Sequence, residues 1–176
     1  MILCVSIKQN EVKTMQGSNK VTKNADKQQL YALSFQRISD AIKQGFPIEA
    51  LALEESIISD RLHSFIKDCF PADLKKCGDG GISDRLKVVR IYFAHEKHDI
   101  LCRIKSWIGK RNQAIHGIVA TKGGGKAKLT GVNFISEAMA AAKRGVDLAH
   151  DVSDWVRKMK RENKKQRKRD DNGRGD

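Results

Sequence analysis

The sequence predicts an all-α protein, and three observations support that fold class. Only 2 prolines and 6% aromatic residues occur in 176 residues, whereas sheet-rich sandwiches use more of both in their turns and strands. Apolar residues recur at steps of three and four over most of the chain, which is the helical period. The length suits one domain with a core of its own. We therefore expect an antiparallel four- to five-helix bundle.

Residues 1–24 lack sustained periodicity, so we expect them to be a weakly ordered lead-in. The helical domain is predicted over residues 25–160. Its first helix should begin near Asn24 or Asp26, either of which can cap it, and should run to Gly45.

A second helix is predicted from Pro47, because proline suits the first turn of a helix, and it should stop before Pro71. One position on its apolar face is charged, and this is Glu55. The apolar positions of that face are Ile48, Leu51, Ile58, Leu62, Phe65 and Cys69.

A glycine-rich loop, KKCGDGGIS, separates this helix from a long helical stretch that Ser83 or Asp84 can cap. The stretch ends near Gly117, and we expect a break or kink around residues 94–97, where the apolar spacing loses step. After the break the apolar stripe is regular, and Arg111 occupies one of its positions.

Two short β-compatible pieces around three glycines follow Gly117 and predict a small hairpin or loop insertion. The last helix should begin near Asn133. Its apolar stripe ends after Lys160, and residues 161–176 are predicted to be a basic disordered tail because they are polar throughout.

The composition is strongly basic, since 34 Lys and Arg residues outnumber 21 Asp and Glu residues and give a net charge of +13. Such an excess indicates an acidic partner such as a nucleic acid. Four cysteines without a C-x-x-C pair indicate reduced thiols in a cytoplasmic protein. No apolar run approaches the roughly 18 to 20 residues of a membrane span, so no membrane partner is expected.

Arg111 needs an explanation, because an unpaired guanidinium in a core-facing position costs several kcal/mol. Either it pairs with Glu55 or it faces a cleft. Asn112 and His116 are four residues apart and share a helical face, so the amide could hydrogen-bond the imidazole and select its tautomer. Arg111 and His116 lie about 140° apart on an ideal helix. They converge only through the long arginine side chain or through loosening of the helix at Gly117.

The pattern R-N-x-x-x-H followed by glycine, near the end of a helix in a small all-α protein, resembles the signature of HEPN domains. The resemblance implies a helical bundle, commonly a homodimer, and many members are metal-independent endoribonucleases of toxin–antitoxin, phage-defence and CRISPR systems. It implies Arg111, Asn112 and His116 as catalytic residues, with Glu55 in support and no cofactor. Two other Arg–His pairs have a similar spacing, but Ile91 and Gly145 follow their arginines where the family has a polar residue.

The chemistry expected of such a motif is cleavage of single-stranded RNA. Imidazole exchanges protons near neutral pH, so a histidine can take the proton of a ribose 2′-hydroxyl or deliver one to the leaving 5′-oxygen. An arginine offers a fork of donors to the phosphate oxygens. The expected products carry a 2′,3′-cyclic phosphate and a 5′-hydroxyl, and DNA is excluded because it lacks the 2′-hydroxyl.

Basic residues in three places are candidates for RNA binding. From Arg157 to Arg169 the chain holds nine basic residues and one acidic residue, which is typical of a nucleic-acid contact. The predicted RNA-binding residues are Lys110, Lys122, Lys126, Lys128, Lys164, Lys165, Arg167, Lys168 and Arg169.

Other readings of the same residues stay open. The alternative function is a non-catalytic helical RNA-binding or adaptor protein in which Arg111 is a structural partner of Glu55. A third reading is a toxin held by a cognate antitoxin or regulatory partner. A metal site also comes into consideration, because three possible ligands could share a helical face: His95, His98 and Cys102. The sequence near them offers no fourth ligand, so no metal site is expected.

Overall fold

In the computed structural model, residues 8–78, 80–93, 99–116 and 131–172 are described, and within these ranges the chain is helical without any strand. The all-α helical prediction is confirmed. The predicted hairpin or loop insertion after Gly117 lies outside the described residues. The helices are α1 Lys8–Gln44, α2 Pro47–Cys69, α3 Leu74–Cys77, α4 Ile82–Tyr92, α5 Asp99–His116 and α6 Gly131–Asn172, with a 3-10 turn at Pro71–Asp73.

The chain divides into two compact units, Met1–Arg37 and Ile38–Asp176. In the first unit the helix begins at Lys8, so the prediction of a weakly ordered lead-in and of a start near Asn24 is wrong for residues 8–24. The physical reason is that this stretch has no proline and only one glycine, so nothing in it breaks a helix.

The predicted end of α1 at Gly45 is confirmed. Gly45 has φ 80°, a left-handed conformation that glycine adopts without strain. The Phe46 amide donates to the Ala41 carbonyl at 2.8 Å and the Gly45 amide donates to the Ile42 carbonyl at 3.3 Å. This pair of bonds is the Schellman motif, and it lets Pro47 begin α2 directly afterwards.

Helix α2 is the centre of the second unit and packs on both α4 and α6. Its predicted apolar face is buried except at Ile48, which is partly exposed, and Cys69 closes the helix before Pro71. Aromatic rings from three helical segments meet at its carboxyl end, where Phe65 lies 5.2 Å from Trp155 and 6.1 Å from Phe93. The largest fully buried apolar side chains are Ile38, Leu51, Ile58, Leu62, Phe65, Ile66, Val89, Ile104, Val152 and Val156.

The helices of the bundle run in mixed directions. Trp107 of α5 contacts Ala141 of α6 and Arg103 contacts Asp151, so α5 and α6 are antiparallel. By contrast, α2 and α6 run the same way, since early positions of the two helices meet and late positions meet. Helix α4 also runs with α2, because Arg85 contacts Ser59 early in the two helices and Phe93 stacks on Phe65 later.

The predicted break around residues 94–97 falls between α4, which ends at Tyr92, and α5, which begins at Asp99. Residues 94–98 themselves lie outside the described residues. The capping residue of α4 is the extended Gly81 and neither Ser83 nor Asp84, so that prediction is wrong. Both predicted caps lie inside the helix, and Asp84 lies in its first turn, where a carboxylate favours the positive end of the helix dipole.

Helix α6 continues to Asn172, so the prediction of a disordered tail from residue 161 is wrong as far as that residue. No glycine or proline occurs between residues 146 and 172, and Lys, Arg, Gln and Glu are good helix formers. Gln166 also donates to Asp170 one turn later at 2.9 Å. Residues 173–176 lie outside the described residues. In the described ranges no helix is long and apolar enough to cross a membrane.

Candidate functional site

The carboxyl-terminal half of α5 places Arg111 at the edge of the core. Ile104 and Ile108 on the same stripe are buried, and the Arg111 side chain is 20% exposed. Its Nη2 donates to Oε2 of Glu55 on α2, whose side chain is 24% exposed. The ion pair therefore joins two helices at a position where water still reaches both groups, which lowers the cost of desolvation.

Asn112 gives the Arg111 guanidinium a second acceptor. Arg111 Nη1 donates to Asn112 Oδ1 at 2.9 Å, so the guanidinium is held from two sides. His116 is the last residue of α5 and is exposed, and four residues separate it from Asn112 on the same helical face. The structure thus brings Glu55, Arg111 and Asn112 together. It leaves the imidazole of His116 one turn away, without a hydrogen bond to the described residues.

An open groove of about 440 Å³ adjoins Glu55 between α2 and the start of α4. Its wall is polar, and Arg85 Nη1 donates to the Ser59 hydroxyl there. Sequence reasoning did not single out this groove, because its walls come from residues far apart along the chain. Arg111 and His116 are not among the residues that line it, which are Ala52, Glu55, Ser56, Ser59, Asp60, His63, Gly81, Ile82 and Arg85.

The buried acid of α2 is Glu54, which sequence reasoning missed in favour of Glu55. Glu54 is 0% exposed, and neither of its carboxylate oxygens has a hydrogen-bond partner. Desolvation by burial raises the pKa of Glu54 to about 9, so the group is a neutral acid at pH 7. It packs on Gly145 of α6, where an added Cβ would lie 2.5 Å from Glu54 Cδ and 2.7 Å from Trp107 Nε1. The glycine in the middle of α6 was the available signal that a neighbouring helix approaches closely.

The predicted RNA-binding residues differ in their exposure and contacts. Lys110 is exposed on α5, next to Arg111. Arg167 Nη2 donates to the Cys69 carbonyl at 3.1 Å, so this side chain is docked on the end of α2. Lys122, Lys126 and Lys128 lie outside the described residues, whereas Lys164, Lys165, Lys168 and Arg169 are exposed along α6.

Metal ligation was not expected from the sequence, and the described residues offer little to support it. Among them, no group of three or more His, Cys, Asp or Glu side chains is placed to hold a metal ion. Cys102 is exposed on α5. His95 and His98, the other two residues of the considered cluster, lie outside the described residues.

No family model, curated protein or solved structure matches this chain. The observations that bear on function are therefore its own side chains, above all the cluster of Glu55, Arg111 and Asn112 and the exposed His116.

Proposed function

We propose that this chain is a metal-independent endoribonuclease of the HEPN type that cleaves single-stranded RNA as a homodimer. One observation carries the proposal. Glu55 and Asn112 hold the Arg111 guanidinium in a fixed position, and an exposed histidine lies five residues later on the same helix. A structural arginine needs its ion pair, but it does not need a second acceptor such as Asn112 Oδ1.

The held guanidinium keeps donors for a ligand. An arginine has five N–H groups, of which Glu55 and Asn112 each accept one. The remaining Nη hydrogens suit the non-bridging oxygens of a phosphate, where negative charge grows in the transition state. Because the side chain is already positioned, little entropy is lost when the phosphate binds.

The reaction needs proton transfer at two oxygen atoms. A histidine accepts the proton of the 2′-hydroxyl, the 2′-oxygen attacks phosphorus, and the bond between phosphorus and the 5′-oxygen breaks. The leaving 5′-oxygen takes up a proton, so one product ends in a 2′,3′-cyclic phosphate and the other begins with a 5′-hydroxyl. One imidazole cannot serve as base and acid at the same moment, which is the reason for including His116 of a second copy.

A second candidate function has its own observation. The ion pair between Arg111 and Glu55 connects α5 with α2 and is partly buried, as a purely structural pair can be. In that case the chain is a non-catalytic RNA-binding or adaptor protein. Control by a cognate antitoxin or another regulatory partner belongs with the ribonuclease proposal, since only an active nuclease needs restraint.

The deciding experiment is cleavage of end-labelled single-stranded RNA in the presence of EDTA. We expect cyclic-phosphate ends from the wild-type protein, a loss of about 10²- to 10⁴-fold in rate for His116→Ala, and a loss of about 10²- to 10³-fold for Arg111→Ala. Lys105→Ala removes an exposed base of the same helix and serves as the matched control, with an unchanged rate.

Glu55→Ala separates the two candidates. The proposal expects slower cleavage with RNA binding retained, because Arg111 loses one of its two anchors. The adaptor alternative expects lower thermal stability and no cleavage by any variant. Equal residual cleavage by the wild type, His116→Ala and Arg111→Ala would show that the activity is a contaminant and that the ribonuclease proposal is wrong.

A further inference from the structure

A second, smaller groove lies between α5 and α6, on another side of α5 from the ion pair. Its volume is about 230 Å³, and its walls come from both helices. Because α5 and α6 are antiparallel and packed side by side, the groove follows the seam between them. The lining residues are Arg103, Ser106, Trp107, Lys110, Arg144, Asp147 and Leu148.

The rim of the groove carries three cations and one carboxylate, Asp147. Arg103 is held in place, since Nη2 donates to Asp151 at 2.6 Å and Nη1 lies 3.7 Å from Asp99. Lys110 and Arg144 are exposed and form no ion pair with any described residue. The groove therefore presents two cations that are available to an anion.

The floor of the groove is apolar. Trp107 is 4% exposed and Leu148 is 3% exposed. The Trp107 indole donates its N–H to the Ala141 carbonyl at 3.2 Å, so its polar atom is satisfied and the ring is fixed. An apolar floor below a cationic rim suits a ligand with a flat, weakly polar part and a negative charge beside it.

We propose that this groove binds one nucleotide of an RNA strand, with the base against the floor and the phosphate at Lys110 and Arg144. The choice of RNA rests on the proposed ribonuclease function. The volume is below the roughly 300 to 1,000 Å³ of ordinary small-molecule sites, which suits a single nucleotide better than a whole dinucleotide cofactor. Arginine also stacks on nucleobases through its guanidinium plane, a role that Arg144 can serve at the rim.

The position of the groove connects it with the candidate active site. Lys110 directly precedes Arg111 and lies six positions before His116, which is about 9 Å of rise along α5 and about 120° around its axis. A strand held at Lys110 would pass Arg111 and turn around the end of α5 to reach His116. The basic end of α6 can add affinity for the RNA but cannot hold a particular nucleotide in place, because residues 161–172 include no apolar side chain for a base to pack on.

The test measures binding of a 2′-O-methyl hexauridylate by fluorescence anisotropy at several salt concentrations. This RNA analogue has no free 2′-hydroxyl and cannot be cleaved, so binding is read independently of any nuclease activity. We expect Lys110→Ala with Arg144→Ala to weaken binding and to lower the slope of log affinity against log salt by about 0.7, because the two cations neutralise one phosphate. The matched control removes two exposed bases of the same helices that do not line the groove, Lys105→Ala with Lys143→Ala.

Ser106→Leu provides a variant that blocks the groove without a change of charge. We expect it to weaken binding with little change in the salt slope, and circular dichroism checks that the helices are retained. In a Trp155→Phe background the remaining fluorescence comes from Trp107, which the bound base should quench.

Three outcomes would overturn the inference. The first is an equal loss of binding in the groove variant and the control variant, which indicates diffuse charge only. The second is undiminished binding by Ser106→Leu. The third is quenching of Trp107 by an oligoglutamate peptide and not by the RNA analogue, which makes the occupant an acidic peptide. A fourth result separates the two proposals. If the groove binds RNA but the His116→Ala variant cleaves RNA as fast as the wild type, only the nuclease proposal is wrong.

Discussion

Glu54 is a carboxylic acid in the centre of the bundle, and among the described residues neither of its oxygens has a hydrogen-bond partner. Its unfolded form ionises at an ordinary pKa, whereas burial raises the pKa in the fold to about 9. Between these two values the folded state holds one more proton than the unfolded state. The free energy of unfolding must therefore fall as the pH rises through this window, by up to about 1.4 kcal/mol per pH unit.

Replacement of Glu54 by methionine should remove this dependence on pH. Methionine is flexible enough to fill the space against Gly145 and has no charge to desolvate. Urea unfolding at pH 5.5 and pH 8.5 measures the effect, and we expect the variant to exceed the wild type in stability by more at the higher pH. Glu137→Gln, at an exposed glutamate of α6, is the control. Identical changes with pH in the wild type and Glu54→Met would contradict the assignment of a buried neutral acid.

The sequence could predict one charged position on the apolar face of α2, but it could not decide between two neighbours. Glu54 and Glu55 both continue the steps of three and four from Leu51 to Ile58. Which of the two acids is buried depends on where α5 and α6 pack against α2. Gly145 of α6 makes room for Glu54, and Arg111 of α5 pairs with Glu55. The environment of each acid is therefore set by a residue about 60 to 90 positions away in the chain.

Helix α6 is longer than its apolar stripe, and the difference lies in its last three turns. The sequence correctly predicted where burial ends, because burial follows the apolar pattern. It did not predict where the helix ends, because good helix formers extend a helix that packing has already nucleated. The basic side chains at this end are therefore displayed at regular intervals along a helix.

The exposed bases of this segment should contribute affinity for RNA and no chemistry. With four of them neutralised, we expect the salt slope of RNA binding to fall by up to about 2.8, and the cleavage rate at saturating RNA to stay unchanged. Filter binding and single-turnover cleavage measure the two quantities. The substitutions are Lys164→Gln, Lys165→Gln, Lys168→Gln and Arg169→Gln.

A charge-matched control changes four exposed lysines elsewhere in the second unit, and Arg167 is kept in both proteins because it is docked on α2. A control that weakens binding as much as the α6 variant would show that net charge alone governs affinity. A slower rate at saturating RNA would instead assign this end of α6 to the chemistry. The control substitutions are Lys67→Gln, Lys75→Gln, Lys105→Gln and Lys143→Gln.

At the scale of the whole molecule, the candidate motif lies at the end of one helix. The groove beside Glu55 is lined without Arg111 and His116, so the described residues offer the exposed histidine no facing wall there. Two copies that meet at the ends of α5 would supply that wall and a second imidazole. The helical class and the boundaries of α2 could be predicted from local pattern, but this arrangement depends on association and has no local signal.

Dimerisation should therefore govern activity. Light scattering at micromolar concentration should give twice the 19.7 kDa chain mass. Cleavage per chain should decline when the protein is diluted below its dissociation constant. The His116→Ala variant should dimerise as well as the wild type, because an exposed side chain at a helix end adds little to an interface. A monomer with constant activity per chain over the whole dilution series would rule out the composite site.

The shared direction of α2 and α6 has an electrostatic consequence. Each helix carries about half a negative charge at its carboxyl end, and two parallel neighbours place these partial charges on the same side of the bundle. Arg167 donates to the last carbonyl of α2, and Lys160 lies 2.7 Å from Asp68 one residue earlier. Some of the positive charge of α6 thus neutralises the helix dipole of its own neighbour. An RNA strand that approached this end would meet a positive field already reduced by these contacts within the fold.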